Sequence, residues 1–158
     1  MSVIEILDAQ SSMPDAVSGL LHASLGESIC NVAKLVRDWI DVTTRFDGPG
    51  EVLLIASLGG DVVGVGGLLK CRDVPGALRV SRLYVLPEHR RRGVASALAA
   101  ELLRRSTGRA DVVSCNAQAS SSAGPFWESM GFKPVKHAGI THTWSALDIP
   151  DVVPSASR

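Results

Sequence analysis

At 158 residues, 46% of them apolar, the chain has the length and the hydrophobic content for one domain with its own core. Sixteen basic side chains balance sixteen acidic ones, so no whole-molecule field draws it to a nucleic acid or an anionic membrane, and neither is expected as a partner. Cys30, Cys71 and Cys115 are widely spaced with no Cys-x-x-Cys pair, a pattern that predicts reduced thiols rather than disulfides or a zinc site. The N-terminus lacks a signal-peptide pattern, and no apolar run approaches the roughly 20 residues of a membrane span. A soluble, cytoplasmic protein without a metal is expected.

Residues 3–7 alternate weakly and predict a short first strand. Val17, Leu20, Leu21 and Leu25 recur at helical spacing and predict a helix over 14–25. A second helix is expected over 31–43, with Val32, Leu35, Val36, Trp39 and Ile40 on its buried face. The turn at 47–50 leads into a buried strand at 51–58, a Gly59-Gly60-Asp61 hairpin and a strand at 62–70. Gly64, Gly66 and Gly67 suggest a dinucleotide loop, but they lie inside a strand with no helix after them. A bulge or close packing explains them better.

A third long strand is expected over 77–86. The helix after Gly93 packs through Val94, Leu98 and Leu102, with Glu101 and Arg105 paired at i, i+4 on its outer side. A strand over 110–116 follows, then a small, polar loop. Pro125 suits the first turn of a short helix carrying Phe126, Trp127 and Met130, and Gly131 ends it. Two closing strands, 132–136 and 140–147, meet around Ala138-Gly139. The domain is expected to span residues 1–149, with 150–158 a disordered tail. The element order β-α-α-β-β-β-α-β-α-β-β predicts a mixed α/β (α+β) fold with helices on both faces of the sheet.

The densest information lies in residues 81–98, a strand, a Pro-initiated basic turn and a helix start. Arg90, Gly93 and Ala95 stand there in the spacing Arg-x-x-Gly-x-Ala. First-turn N–H groups of a helix have no internal partner and carry the positive end of its dipole, so the junction suits an anion such as pyrophosphate. A solvated basic turn is the rival reading.

Leu83-Tyr-Val-x-Pro-x-x-Arg90-x-x-Gly93-x-Ala95 resembles the acyl-CoA-binding motif of the GNAT superfamily, the acyl-CoA-dependent N-acyltransferases. Phe126-Trp127, three residues and Gly131-Phe132 resemble a second signature of that family. The resemblance implies a GNAT-like, mostly antiparallel sheet over about residues 3–147. It also implies acetyl-CoA as co-substrate, direct acetyl transfer to a primary amine of a small molecule or amino acid, and a possible homodimer. In the family the strand before the phosphate loop splays from the next, and pantetheine lies in the gap. By resemblance Leu83, Tyr84 and Val85 would hold pantetheine, and Arg90, Arg91, Gly93, Val94, Ala95 and Ser96 the pyrophosphate. Asn116 and Ser120 are further cofactor-binding candidates, Ser120 standing where many members have asparagine.

The catalytic groups depart from the family pattern. A tyrosine that protonates the leaving thiolate is common where this chain has Trp127, whose indole donates a hydrogen bond but does not titrate. Where members often carry a glutamate base, this chain has Arg79. Tyr84, Glu128, His142 and His22 remain as candidate bases, with Trp127 and Tyr84 as candidate catalytic residues. Arg79 and Ser81 share a strand face, and if it lines the acceptor cleft, Arg79 favours a carboxylate-bearing amine. Three alternatives stay open: a nucleophilic Cys115, an acyl-CoA sensor lacking acid and base, and acetylation of protein termini or lysines.

Overall fold

The computed structural model describes residues 3–118 and 120–146, so the predicted tail at 150–158 and the end of the last predicted strand lie outside the described residues. The strands are β1 (Ile4–Asp8), β2 (Val52–Leu58), β3 (Asp61–Lys70), β4 (Leu78–Val85), β5 (Val112–Cys115), β6 (Lys133–His137) and β7 (Ile140–Ser145). The α-helices are α1 (Ser18–Gly26), α2 (Asn31–Ile40), α3 (Val94–Ser106) and α4 (Ala123–Ser129). All seven strands form one sheet in the order β1-β2-β3-β4-β5-β7-β6. Only β4 and β5 run parallel; the other neighbours are antiparallel. The predicted element order and mixed sheet are what is found.

Alternation along β2 divides the core into two layers. Val52, Leu54 and Ala56 face α3 and α4, where Val94, Leu98, Leu102, Trp127 and Phe132 pack. Leu53 and Ile55 face α1 and α2, against Leu20, Val32, Leu35 and Trp39. Each fully buried leucine contributes about 2 kcal/mol. The α2 helix stops at Ile40 rather than running to residue 43, and Ile40 is exposed instead of completing the apolar face. Gly59 and Gly60 both take positive φ, as the tight β2–β3 hairpin requires. At the end of α4, Gly131 (φ 97°) lets the Phe132 N–H reach back 3.0 Å to the Trp127 carbonyl.

The glycine cluster in β3 makes room for its neighbours. A Cβ on Gly67 would lie 2.5 Å from Phe46 Cε2, and one on Gly66 would lie 2.9 Å from Leu83 Cδ1. Opposite Gly66, β4 carries one residue too many: Val65 pairs with Tyr84, but Gly67 pairs with Ser81. Arg82 absorbs the extra residue with φ 62°. The bulge inverts the alternation of β4. Leu78 and Val80 face the α3 layer before it, whereas Leu83 and Val85 do so after it, and Tyr84 turns to the α1–α2 layer. Among the described residues no helix is long and apolar enough to cross a membrane.

Candidate functional site

One flank of β4 lacks a strand partner over most of its length. Parallel pairing between β4 and β5 is limited to Leu78 with Val113 and Arg79 with Ser114. Beyond these two pairs β4 runs on to Val85 while β5 ends at Cys115, which leaves a gap in the pairing along β4 from Val80 to Val85. The open flank of β4 leads through Pro87–His89 into α3. Gly93 caps α3 with φ 87°, and no side chain bonds the first-turn N–H groups. The first helical bond is from Ala97 N–H to the Gly93 carbonyl at 2.9 Å, which leaves the amides of Val94, Ala95 and Ser96 without helical acceptors. A Cβ on Gly93 would meet nothing within 4 Å, so the mouth of the helix is open. Gly93, Ser96, Arg91 and Arg92 are exposed there, whereas Val94 is buried in the core. An uncapped helix start beside an unpaired strand edge fits a diphosphate joined to an extended, amide-bearing arm.

Arg90 is placed otherwise than expected. Its Nη1 and Nη2 donate to Glu27 Oε1 and Oε2 at 2.8 and 2.7 Å, and its Nε donates to the Val85 carbonyl at 2.9 Å. The guanidinium also lies 5.4 Å above the Tyr84 ring. Three of its five N–H donors are therefore engaged by the protein, because a carboxylate within reach meets the fork in both arms. The Leu83 carbonyl likewise accepts from Asn31 Nδ2 at 2.7 Å.

Tyr84 is withdrawn from acid–base work. Its ring is buried in the α1–α2 layer, and its hydroxyl donates to Glu27 Oε2 at 2.6 Å. Burial, reinforced by the hydrogen bond to Glu27, pushes the phenol up to about 12. At neutral pH it stays protonated and is no base. The bulge explains the reversal, since it rotates Tyr84 off the face that the plain strand alternation would give it. Trp127, 5% exposed, is wedged edge-on against Phe126 and Phe132, each with ring centroids 4.9 Å away. A helix of seven residues docks only by burying such a side chain, and core packing accounts for Trp127 without a ligand.

Other candidates are also occupied. Asn116 donates to the Gly139 carbonyl at 3.2 Å and accepts from Gln118 N–H at 3.0 Å, which shapes the loop after β5. Ser120 is exposed and bonds Ser122 at 3.1 Å. Arg79 shares its strand face with Ser81, and its Nη1 lies 3.7 Å from Asp73 in a partly exposed ion pair. Cys115 is buried, and desolvation pushes its thiol up to about 12, leaving no thiolate at neutral pH to serve as nucleophile.

Sequence reasoning missed two groupings. Glu27, just past α1, is absent from the predicted candidates. Its partners lie 57 and 63 residues away. Glu128 and His142 were candidates only as isolated residues, yet their Oε2 and Nε2 are 2.8 Å apart. His142 Nδ1 is 2.8 Å from Thr141 Oγ1, which accepts from Ala117 N–H at 2.8 Å. This chain of bonds fastens α4 to β7 and to the loop after β5. His22 stands exposed on α1.

A family model described as the acetyltransferase (GNAT) domain matches residues 31–145. Rat N-acetyltransferase family 8 member 2 is 32% identical over 112 residues, covering 67% of this chain and 50% of that protein. The chain spans about half the length of the curated relatives it matches. A solved structure from Exiguobacterium sp. 255-15, itself assigned only provisionally as an acetyltransferase, superposes with a TM-score of 0.77 at 25% identity over 93% of this chain and 95% of that one. The yncA protein of Salmonella typhimurium, solved with acetyl-CoA, has the same fold with a TM-score of 0.68 at 15% identity over 98% and 99% of the two chains. With a match that runs from the start of α2 to the end of β7, the chain belongs to the GNAT acetyltransferase domain family.

Proposed function

We propose that the chain moves an acetyl group from acetyl-CoA directly to a primary amine of a small molecule or amino acid. The observation that carries this reading is the flank of β4 that has no strand partner beyond Arg79, running into the uncapped start of α3. The main chain of Leu83 to Val85 lies along the gap and would hold the pantetheine arm. The amides of Val94, Ala95 and Ser96 would take the pyrophosphate, with exposed Arg91 beside them. The bound acetyl thioester supplies the electrophile. Membership of the family and the acetyl-CoA held by the yncA protein support acetyl-CoA as the donor.

The protein's own part is mainly to bind and to orient. Holding two reactants in line supplies much of the barrier reduction in a transfer of this kind. A free alkylamine is largely ammonium at neutral pH, so the acceptor must lose a proton before it attacks. Tyr84, its hydroxyl bonded to Glu27 and its phenol pushed up, is not the base that takes this proton, and Cys115 is buried with its thiol held protonated, which does not suit an acetyl relay. That favours direct transfer through a ternary complex.

A thiol-release assay with acetyl-CoA against amines, amino acids and amino-terminal peptides tests the proposal. Release with at least one small amine and intersecting initial-velocity lines is the expected result. Release with peptides alone would reassign the chain to protein acetylation. Tight CoA binding with no release from any amine would make it a sensor, and absence of CoA binding would remove the donor assignment altogether.

A further inference from the structure

Three groups from distant parts of the chain meet under the phosphate loop. Glu27 lies between α1 and α2, Tyr84 beyond the β4 bulge, and Arg90 three residues before the helix cap. Glu27 accepts both arms of the Arg90 fork and the Tyr84 hydroxyl, while Arg90 Nε holds the Val85 carbonyl. Four residues past Glu27, Asn31 opens α2 and bonds the Leu83 carbonyl. The α1–α2 connection is thus moored at two points on the flank of β4, and one of those moorings reaches the loop that leads into α3.

Exposed ion pairs generally contribute little, and the Arg90 side chain is 40% exposed. This pair differs in three respects. It is bidentate, its arginine is tied at a third point to main chain, and its carboxylate is 27% exposed with a buried tyrosine as second donor. Such a set fixes geometry more than it adds stability.

We propose that Glu27 is a positioning residue for acyl-CoA: through Arg90 it braces the phosphate loop, so that Arg90 acts as a strut held by Glu27 and not as a ligand of the pyrophosphate. The brace also ties the α1–α2 connection to the donor groove. This rests on the reading of the α3 start as the pyrophosphate site.

The two roles for Arg90 predict opposite signs. If Arg90 bound phosphate directly, Glu27→Gln would free it and remove a nearby negative charge, and CoA would bind as tightly or more tightly. As a strut, Arg90 loses its anchor in Glu27→Gln, and CoA binding weakens about tenfold despite the lost negative charge. Calorimetric titration of CoA into the wild type, Glu27→Gln, Arg90→Gln and the double variant decides between them. The strut predicts that Arg90→Gln weakens binding in the wild-type background but adds little in Glu27→Gln. It also predicts that the salt dependence of binding is unchanged by Arg90→Gln, whereas loss of a phosphate contact would flatten it. In turnover the loss falls on KM for acetyl-CoA, with kcat nearly preserved.

Should Glu27→Gln fail to fold, Tyr84→Phe removes one donor to Glu27 and should still weaken CoA two- to threefold, roughly the lower end of one lost hydrogen bond. Equal or tighter binding by Glu27→Gln, with wild-type binding intact, overturns the brace and leaves the donor assignment standing. A wild type that does not bind CoA overturns both.

Discussion

Gly93 is the position where protein strain and ligand contact can be measured apart. Its φ of 87° is a left-handed conformation that costs an L-residue roughly 1–2 kcal/mol. Because an added Cβ would touch no protein atom within 4 Å, nothing else in the protein resists Gly93→Ala. The expected loss of stability is therefore about 1–2 kcal/mol, a fall in Tm of roughly 2–4 °C for each kcal/mol. That strain is present with and without ligand and cancels in the binding constant. A methyl group at the mouth of α3 stands where the pyrophosphate is proposed to approach the amides of Val94, Ala95 and Ser96. CoA should bind Gly93→Ala at least about tenfold more weakly, close to 1.4 kcal/mol. Gly93→Asn separates the two effects further. Asparagine tolerates a left-handed backbone, so Tm should recover most of its loss while binding stays weak. Thermal unfolding without ligand and calorimetric titration of CoA read the two quantities independently. A Gly93→Ala protein with the wild-type CoA affinity would refute the assignment of this helix start.

Tyr84 is the only tyrosine, so tyrosinate absorbance reports on it alone. Its phenol is raised above the ordinary value of about 10, so its contribution to stability is complete below about pH 10 and lost as the pH rises towards 12. Glu27 is lowered, first by its hydrogen bonds from Arg90, so its contribution is present above the ordinary carboxylate range and lost in acid. The groups acting on Tyr84 are Glu27, Arg90 and Glu88, and Glu27→Gln should bring its midpoint down. An ionisation midpoint near 10 in the folded wild type would contradict the buried hydrogen bond. Gly67→Ala should cost about 1–3 kcal/mol in denaturant unfolding, since its methyl would press on Phe46 and, at 3.0 Å, on the Val52 carbonyl; a neutral result would mean that Phe46 moves freely. An alkylating reagent at mildly alkaline pH should label exposed Cys30 and spare Cys71 and Cys115 until denaturant is added. Cys115→Ser should keep acetyl transfer, and loss of transfer without loss of folding would restore Cys115 as a nucleophile.

Local pattern alone was enough for the element order, the two-sided helical packing and the strand–turn–helix around Gly93. Each depends on periodicity, turn residues or a glycine conformation carried within about fifteen residues, and local chemistry decides those. The β3 glycines were legible as close packing for the same reason. What surrounds the site was not legible, because it depends on one extra residue in β4 and on pairs far apart in the chain. The bulge at Arg82 turned Tyr84 away from the gap, and no alternation rule reveals where a bulge falls until the partner strand is in register. Arg90, Glu27 and Tyr84 meet only once α1, α2 and the phosphate loop are stacked on the same sheet, and the Glu128–His142 bond exists only once α4 lies on β7. The sequence by itself determined that a helix starts here behind a glycine and a basic turn. Tertiary structure decided that the arginine beside it serves the loop, because a buried phenol and a carboxylate had already been brought within reach of its fork.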